Sequence, residues 1–277
     1  MERQQVIDHI KKYTINIHGR LLNLDRPRVM GILNATPDSF YAESRMQTET
    51  AIALRAHDIV AQGGSIIDVG GCSTRPGGEL PSQEEEMGRL KRALAIVRRD
   101  HPDVPLSVDT FRPDVARMAV EEFGADIIND VSGGSETMFR MAARLGVPYI
   151  LTSTDASLRD MLLTLAQKVQ QLRDYGQKDL ILDPGFGFGK TVEENYEVMS
   201  QLEKLQVMGL PVLAGVSRKS MIYRLLHCTP DESLNATTML NTIALMKGAS
   251  LLRVHDVREA AECCRLYEAL KGQIGKS

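Results

Sequence analysis

The chain has 277 residues, a formal net charge of −3 and a pI near 6.1. That length suits one α/β barrel of roughly 250 residues plus a short extension. With no Lys/Arg-rich block, few aromatics and no tryptophan, a nucleic-acid footprint is not indicated.

No apolar stretch approaches the roughly 18 residues of a membrane span, and MERQQVIDHIKKYT at the start lacks the apolar core of an export signal. Cys72, Cys228, Cys263 and Cys264 form no CxxC pair, so reduced thiols in a cytoplasmic protein are expected.

The extension, residues 1–27, comes first. Within it TINIHGRLLNL reads as a hairpin turning at His18-Gly19, a piece that would close the bottom of a barrel. From residue 28 onward short β-like runs alternate with helical spacing, and nearly every run ends in polar or glycine residues. VMGILN ends in Asn34, and SIIDVGGCSTRPGG reaches Thr74 and Arg75. PLSVDT ends in Asp109 and DIIND passes through Asn129. PYILTSTD reaches Ser153, LILDPGFGFGK turns polar at Asp183, PVLAGVSRKS does so at Ser217, and LLRVHDV carries Arg253 and His255.

Marked at residues 34, 71, 109, 129, 153, 183, 217 and 255, the run ends lie about 20 to 38 residues apart, room for one strand, loop and helix each. Ile52, Ala56, Ile59 and Val60 follow helical spacing after the first run, and Val257, Ala260, Ala261 and Cys264 after the last. Pro113 suits the first turn of the helix after the third. The expectation is an α/β fold: a single-domain (β/α)8 TIM barrel over residues 28–277, with its site at the C-terminal strand ends. The rival, an open doubly wound sheet, calls for a dinucleotide fingerprint after the first strand, where NATPDSF stands instead.

PGFGFGKT at 184–191 resembles a phosphate-binding loop, but Pro184 occupies the place of its first glycine. Asp183 just before these glycines can pair with a planar donor edge. An aspartate after a strand is most often a helix cap. Asp109, Asn129 and Asp183 at three strand ends would instead converge on one cavity and read a heterocycle rich in N–H donors. Three basic clusters, Ser73–Pro76, Ser217–Ser220 and Arg253–Asp256, suit an anion on the same rim. No HxxxH or HExxH occurs, which leaves zinc chemistry unsupported. Asn34 could supply one hard oxygen to a magnesium ion carried mainly by substrate phosphates.

MGILNATPDSF, DVGGCSTRPGG, SVDT, IND, LDPGFGFGK, SRKS and RVHDV, in that order, resemble the dihydropteroate synthases of folate biosynthesis. The resemblance implies a Mg²⁺-using cytoplasmic transferase, typically a homodimer. Such an enzyme joins 6-hydroxymethyl-7,8-dihydropterin diphosphate to p-aminobenzoate and releases diphosphate. It implies that Asp109, Asn129, Asp183, Phe188 and Lys219 hold the pterin. Asn34, Arg75, Arg253 and His255 would hold the diphosphate, with Asn34 also on the metal. Phe40, Thr74, Pro76 and Ser220 would line the aminobenzoate site, and Asp38 belongs to the same first loop. Asp109, Asp183, Lys219 and Arg75 would carry the chemistry.

Three places depart from the family pattern: Cys72 stands for a glutamate, YAES for SDGG, and TSTDAS for Met-His after strand five. No residue is assigned the role of that methionine. A pterin-binding relative with weak or no turnover is the second reading these departures allow.

Overall fold

A computed structural model describes residues 13–35, 42–72 and 80–274. Its first two strands, β1 (Thr14–Ile17) and β2 (Arg20–Asn23), form the expected antiparallel hairpin. His18 and Gly19 at the turn have positive φ, and the Gly19 N–H donates to Asn16 Oδ1 at 2.7 Å. This is the primed-turn geometry that matches the twist of a tight hairpin.

Eight parallel strands follow: β3 (Arg28–Asn34), β4 (Ile66–Gly70), β5 (Leu106–Asp109), β6 (Ile127–Asp130), β7 (Tyr149–Thr152), β8 (Leu180–Asp183), β9 (Leu213–Ala214) and β10 (Leu251–Val254). They form one sheet in the order β8-β7-β6-β5-β4-β3-β10-β9. A parallel bridge between Leu182 and Val212, with Leu182 N–H donating to Pro211 at 2.9 Å, brings the two ends together into a barrel. Helices occupy the connections, as expected. Pro113 opens the helix Pro113–Phe123, and Gly124, left-handed at φ 64°, ends it. Ile52, Ala56 and Ile59 are buried, as are Val257, Ala260 and Cys264.

Strand parity decides what the barrel interior contains, because alternate side chains face opposite ways. Met30, Ile66, Ile127, Ile150, Ile181, Leu213 and Leu251 form an apolar cluster of their own with Ile15, Ile17 and Leu24. This is a plug at the N-terminal end of the strands, capped by the hairpin. The alternate positions, among them Val69, Val108, Ile128, Leu151, Leu182 and Leu252, belong to the outer core shared with the helices.

Two residues beyond the plug, on the same inward parity, the chain changes character. Ile66 is followed by Asp68, Ile127 by Asn129, Ile150 by Thr152, Ile181 by Asp183 and Leu251 by Arg253. One apolar layer therefore supports one polar layer, and the polar layer faces the C-terminal mouth.

Candidate active site

Register brings the polar layer together. Asn34 pairs with Gly70, Gly70 with Asp109, Asp109 with Asn129, and Thr152 with Asp183. Asp109, Asn129 and Asp183 thus share one ring of neighbouring strands, as the sequence leads one to expect. Asn129 and Asp183 are buried, and the Asp109 side chain is 14% exposed.

Arg253 reaches across the barrel into this layer. Its Nη2 donates to Asp109 Oδ2 at 2.5 Å and its Nε to Asp68 Oδ2 at 2.7 Å. Asp68 Oδ2 also accepts from Asn129 Nδ2 at 3.1 Å. Burial pushes the Asp109 carboxyl up to about 7, helped by the nearby carboxylates of Asp68, Asp130 and Glu86 and opposed by Arg253. Charge pairing with both aspartates raises the Arg253 guanidinium against the opposing effect of its own burial.

The glycine-rich turn forms the opposite wall. Gly185, Gly187 and Gly189 all have positive φ. The Gly185 N–H donates to Asp183 Oδ1 at 2.8 Å, and Thr152 Oγ1 donates to Asp183 Oδ2 at 3.4 Å. Lys190 Nζ pins the turn from outside, donating to the carbonyls of Gly185, Phe188 and Ser153 at 3.1, 3.2 and 3.3 Å. Asn195, buried on the helix Val192–Ser200, accepts from the Gly187 N–H at 2.7 Å.

Lys219 leans over this turn. Its Nζ donates to the Phe186 carbonyl and lies 4.6 Å from the centre of the Phe188 ring. A Cβ on Gly187 would come within 3.1 Å of the Lys219 chain, so glycine is what permits the approach. Burial lowers the Lys219 ammonium to about 8, with Asp183 opposing and Arg253 assisting. Ser220 follows directly as the first residue of the short helix Ser220–Tyr223.

His255 lies just past β10, half-buried, its backbone N–H donating to Ser217 Oγ at 3.1 Å. Burial, then the Arg253 and Arg55 guanidinium groups, lower its imidazole to about 4. An imidazole lowered this far is uncharged at neutral pH, and the positive charge around it is that of the Arg253 and Arg55 guanidinium groups. Arg218, read above as part of an anion-binding cluster, is committed elsewhere. Its guanidinium holds Asp256 at 2.8 Å and Asp231 at 3.1 Å, so it ties down the loop after β9. Ser153 and Ser217, taken as strand ends, lie beyond the last residues of β7 and β9.

Phe40, Thr74, Arg75 and Pro76 lie outside the described residues, as does Asp38. The base of the 73–79 segment is described. Cys72 sits near Glu86, a fully buried carboxylate that pairs with Arg112 and accepts from Thr110 Oγ1 at 2.7 Å. Burial and the Glu86 charge push the Cys72 thiol up to about 12, which keeps it protonated at neutral pH.

Two members of the layer escape a sequence reading. Asp68 sits mid-run in SIIDVGG, where no loop signal marks it, and its partner Arg253 is 185 residues away. Thr152 opens the stretch TSTDAS, and only its register with Asp183 reveals it. Asn34 is exposed at the end of β3, and its Oδ1 and the Asp109 carboxylate flank Gly70. Among the described residues no group of three His, Cys, Asp or Glu side chains could hold a metal. Asn34 Oδ1 is a hard oxygen of the kind a magnesium ion takes.

Residues 30–255 match the model of the family described as pterin binding enzyme. Dihydropteroate synthase from Clostridium beijerinckii is 38% identical over 257 residues, covering 89% of this chain and 95% of the relative. The structure of Xanthomonas albilineans dihydropteroate synthase with 4-aminobenzoic acid superposes with a TM-score of 0.87 at 35% identity, over 94% of this chain and 98% of that one. Dihydropteroate synthase from Anaplasma phagocytophilum, with bound 6-hydroxymethylpterin-monophosphate, gives 0.83 at 32% identity, over 88% and 99%. The family match over residues 30–255, with relatives 38% identical across most of both chains, places this barrel in the pterin-binding enzyme family, among the dihydropteroate synthases.

Proposed function

We propose that the chain condenses 6-hydroxymethyl-7,8-dihydropterin diphosphate with p-aminobenzoate to give 7,8-dihydropteroate and diphosphate. One observation carries the site assignment: a ring of acceptors, the buried Asn129 and Asp183 and the part-buried Asp109, shares one mouth with Lys219 and Arg253. Acceptors on that side suit the N–H-rich edge of a pterin, and the cations suit its ring carbonyl and the leaving diphosphate.

In the reaction the methylene C–O bond breaks and diphosphate leaves with its electron pair. The arylamine nitrogen forms the new C–N bond and gives its proton to solvent. Positive charge that develops on the methylene spreads into the ring, where Asp109 and Asp183 stabilise it. Lys219 is poised against the ring by its contact with Phe188. Arg253 and the neutral His255 serve the diphosphate side, with Arg75. Phe40, Thr74, Pro76 and Ser220 line the aryl site. A magnesium ion, brought with the diphosphate and touched by Asn34, would supply charge neutralisation to the leaving group.

We propose further that the protein acts in the cytoplasm as a homodimer. No helix among the described residues is long and apolar enough to cross a membrane. Met239 and Met246, 66% and 58% exposed and one heptad apart on the helix Leu234–Met246, offer apolar surface for a second copy. The test of the reaction is diphosphate release by purified protein given both substrates and Mg²⁺. Release that needs aminobenzoate supports it, and none at all would leave the pterin-binding, non-catalytic reading.

A further inference from the structure

Asp68 has no part in the assignments above, yet it joins two of them. It is fully buried at the middle of β4, one layer above the apolar plug. A carboxylate in such a place is retained only with partners. Its Oδ2 takes two: Arg253 Nε at 2.7 Å and Asn129 Nδ2 at 3.1 Å.

The first consequence concerns Asn129. A carboxamide can present either a donor or an acceptor to a ligand. A carboxylate only accepts, so Asp68 fixes the Asn129 amide with its NH2 inward. Asn129 Oδ1, buried and without a hydrogen-bond partner, is the atom left for a ligand. The layer then offers acceptors at Asp109, Asn129 and Asp183 alike, and a ring that brought its own acceptors to that edge would meet no donor.

The second consequence concerns Arg253. Its guanidinium is shared between Asp68 through Nε and Asp109 through Nη2. Ring donors that bind Asp109 share its charge with Nη2, so the Nη2 bond is the one they weaken. The Nε bond to Asp68 does not lie in that path. Arg253 therefore keeps a fixed attachment while its Nη end is released towards the anion.

We propose that Asp68 is a positioning residue of the pterin site, orienting the Asn129 amide and serving as the pivot of Arg253. This couples ring recognition to the diphosphate side and rests on the synthase reading above.

The test is the isosteric Asp68→Asn, titrated calorimetrically with free 6-hydroxymethylpterin and followed in steady-state turnover. Pterin affinity should fall about tenfold or more, since a charge-assisted network loses its acceptor. KM for aminobenzoate should move by less than about twofold, because Asp68, Asn129 and Arg253 serve the ring and the anion rather than the aryl site. In an Asn129→Ala background the same change should cost the free pterin less than about threefold, the mark of one shared interaction. Native-like pterin affinity in Asp68→Asn, or a full loss repeated in the Asn129→Ala background, would overturn the proposal.

Should Asp68→Asn not fold, native protein still decides. The Arg253 Nε–H proton, assigned by its loss in Arg253→Lys, should exchange slowly both free and with the pterin bound. Fast exchange in the bound state would remove the pivot. A native protein that binds pterin but forms no dihydropteroate defeats the synthase reading alone. Native turnover alongside an unaffected Asp68→Asn defeats the pivot alone.

Discussion

Asp183 divides its two oxygens between a loop and a strand. Oδ1 accepts the Gly185 N–H and Oδ2 the Thr152 hydroxyl, which leaves lone pairs on both for a donor edge. Asp183→Asn keeps the shape and replaces an ionic acceptor with a neutral amide. We expect free pterin to bind more weakly by about 1.5–3 kcal/mol, or one to two decades, by calorimetry. Unchanged affinity would take Asp183 out of the site.

The two neighbouring titrations set a pH window. Asp109 is raised to about 7, so its acceptor charge is lost as pH falls through that value. Lys219 is lowered to about 8, so its ammonium is lost as pH rises through that value. Pterin affinity should be greatest between about 7 and about 8 and decline on both sides. Lys219→Met should abolish the alkaline limb and leave the acid one. A profile that is flat across both limbs would contradict these assignments.

At this scale the sequence shows charged or amide residues best where they end a run or stand one residue before its end, as Asp109, Asp183 and Asn129 do. It hides those whose meaning depends on a distant partner. Asp68 is enclosed by apolar neighbours in its own run and is explained only by Arg253 and Asn129.

The elements were legible because two periods differ. Residues two apart line the barrel and residues three or four apart line the helices, so PLSVDT and the 52–60 spacing cannot be exchanged. What a period does not show is which way a loop cation turns. Arg218 and Lys219 are adjacent in SRKS, but Arg218 takes a left-handed φ of 54° and pairs with Asp256, while Lys219 goes into the site.

The glycine turn gives this scale its prediction. A Cβ on Gly185 would stand 1.9 Å from the Ser153 carbonyl oxygen, at a φ of +68°. Gly185→Ala must move backbone and with it the N–H that holds Asp183. We expect a loss of about 1–3 kcal/mol in stability together with weaker pterin binding. Gly146→Ala is the control, with the same φ at a helix end and nothing within 4 Å. It should cost about 1 kcal/mol and leave pterin affinity alone. Equal pterin affinity in both variants would show that the turn does not set the site.

Across the whole molecule, stability and chemistry occupy opposite ends of one barrel. The hairpin was legible from His18-Gly19 between alternating residues, and its burial of Ile15 and Ile17 against the plug follows from that alternation. Ile15→Ala opens a cavity in the plug and should destabilise by about 2–5 kcal/mol in thermal denaturation. Because the plug lies below the polar layer, turnover well under the melting transition should be unchanged; a large fall there would mean the two ends are coupled.

The central claim is that this mouth carries out the condensation as well as binding the pterin. It is tested most directly by measuring dihydropteroate and diphosphate together, from pterin diphosphate, aminobenzoate and Mg²⁺, in native protein and in Asp183→Asn. We predict equal amounts of the two products from the native protein and a loss of both in the variant. Pterin binding with no dihydropteroate formed, or product formation that Asp183→Asn does not impair, would contradict the account.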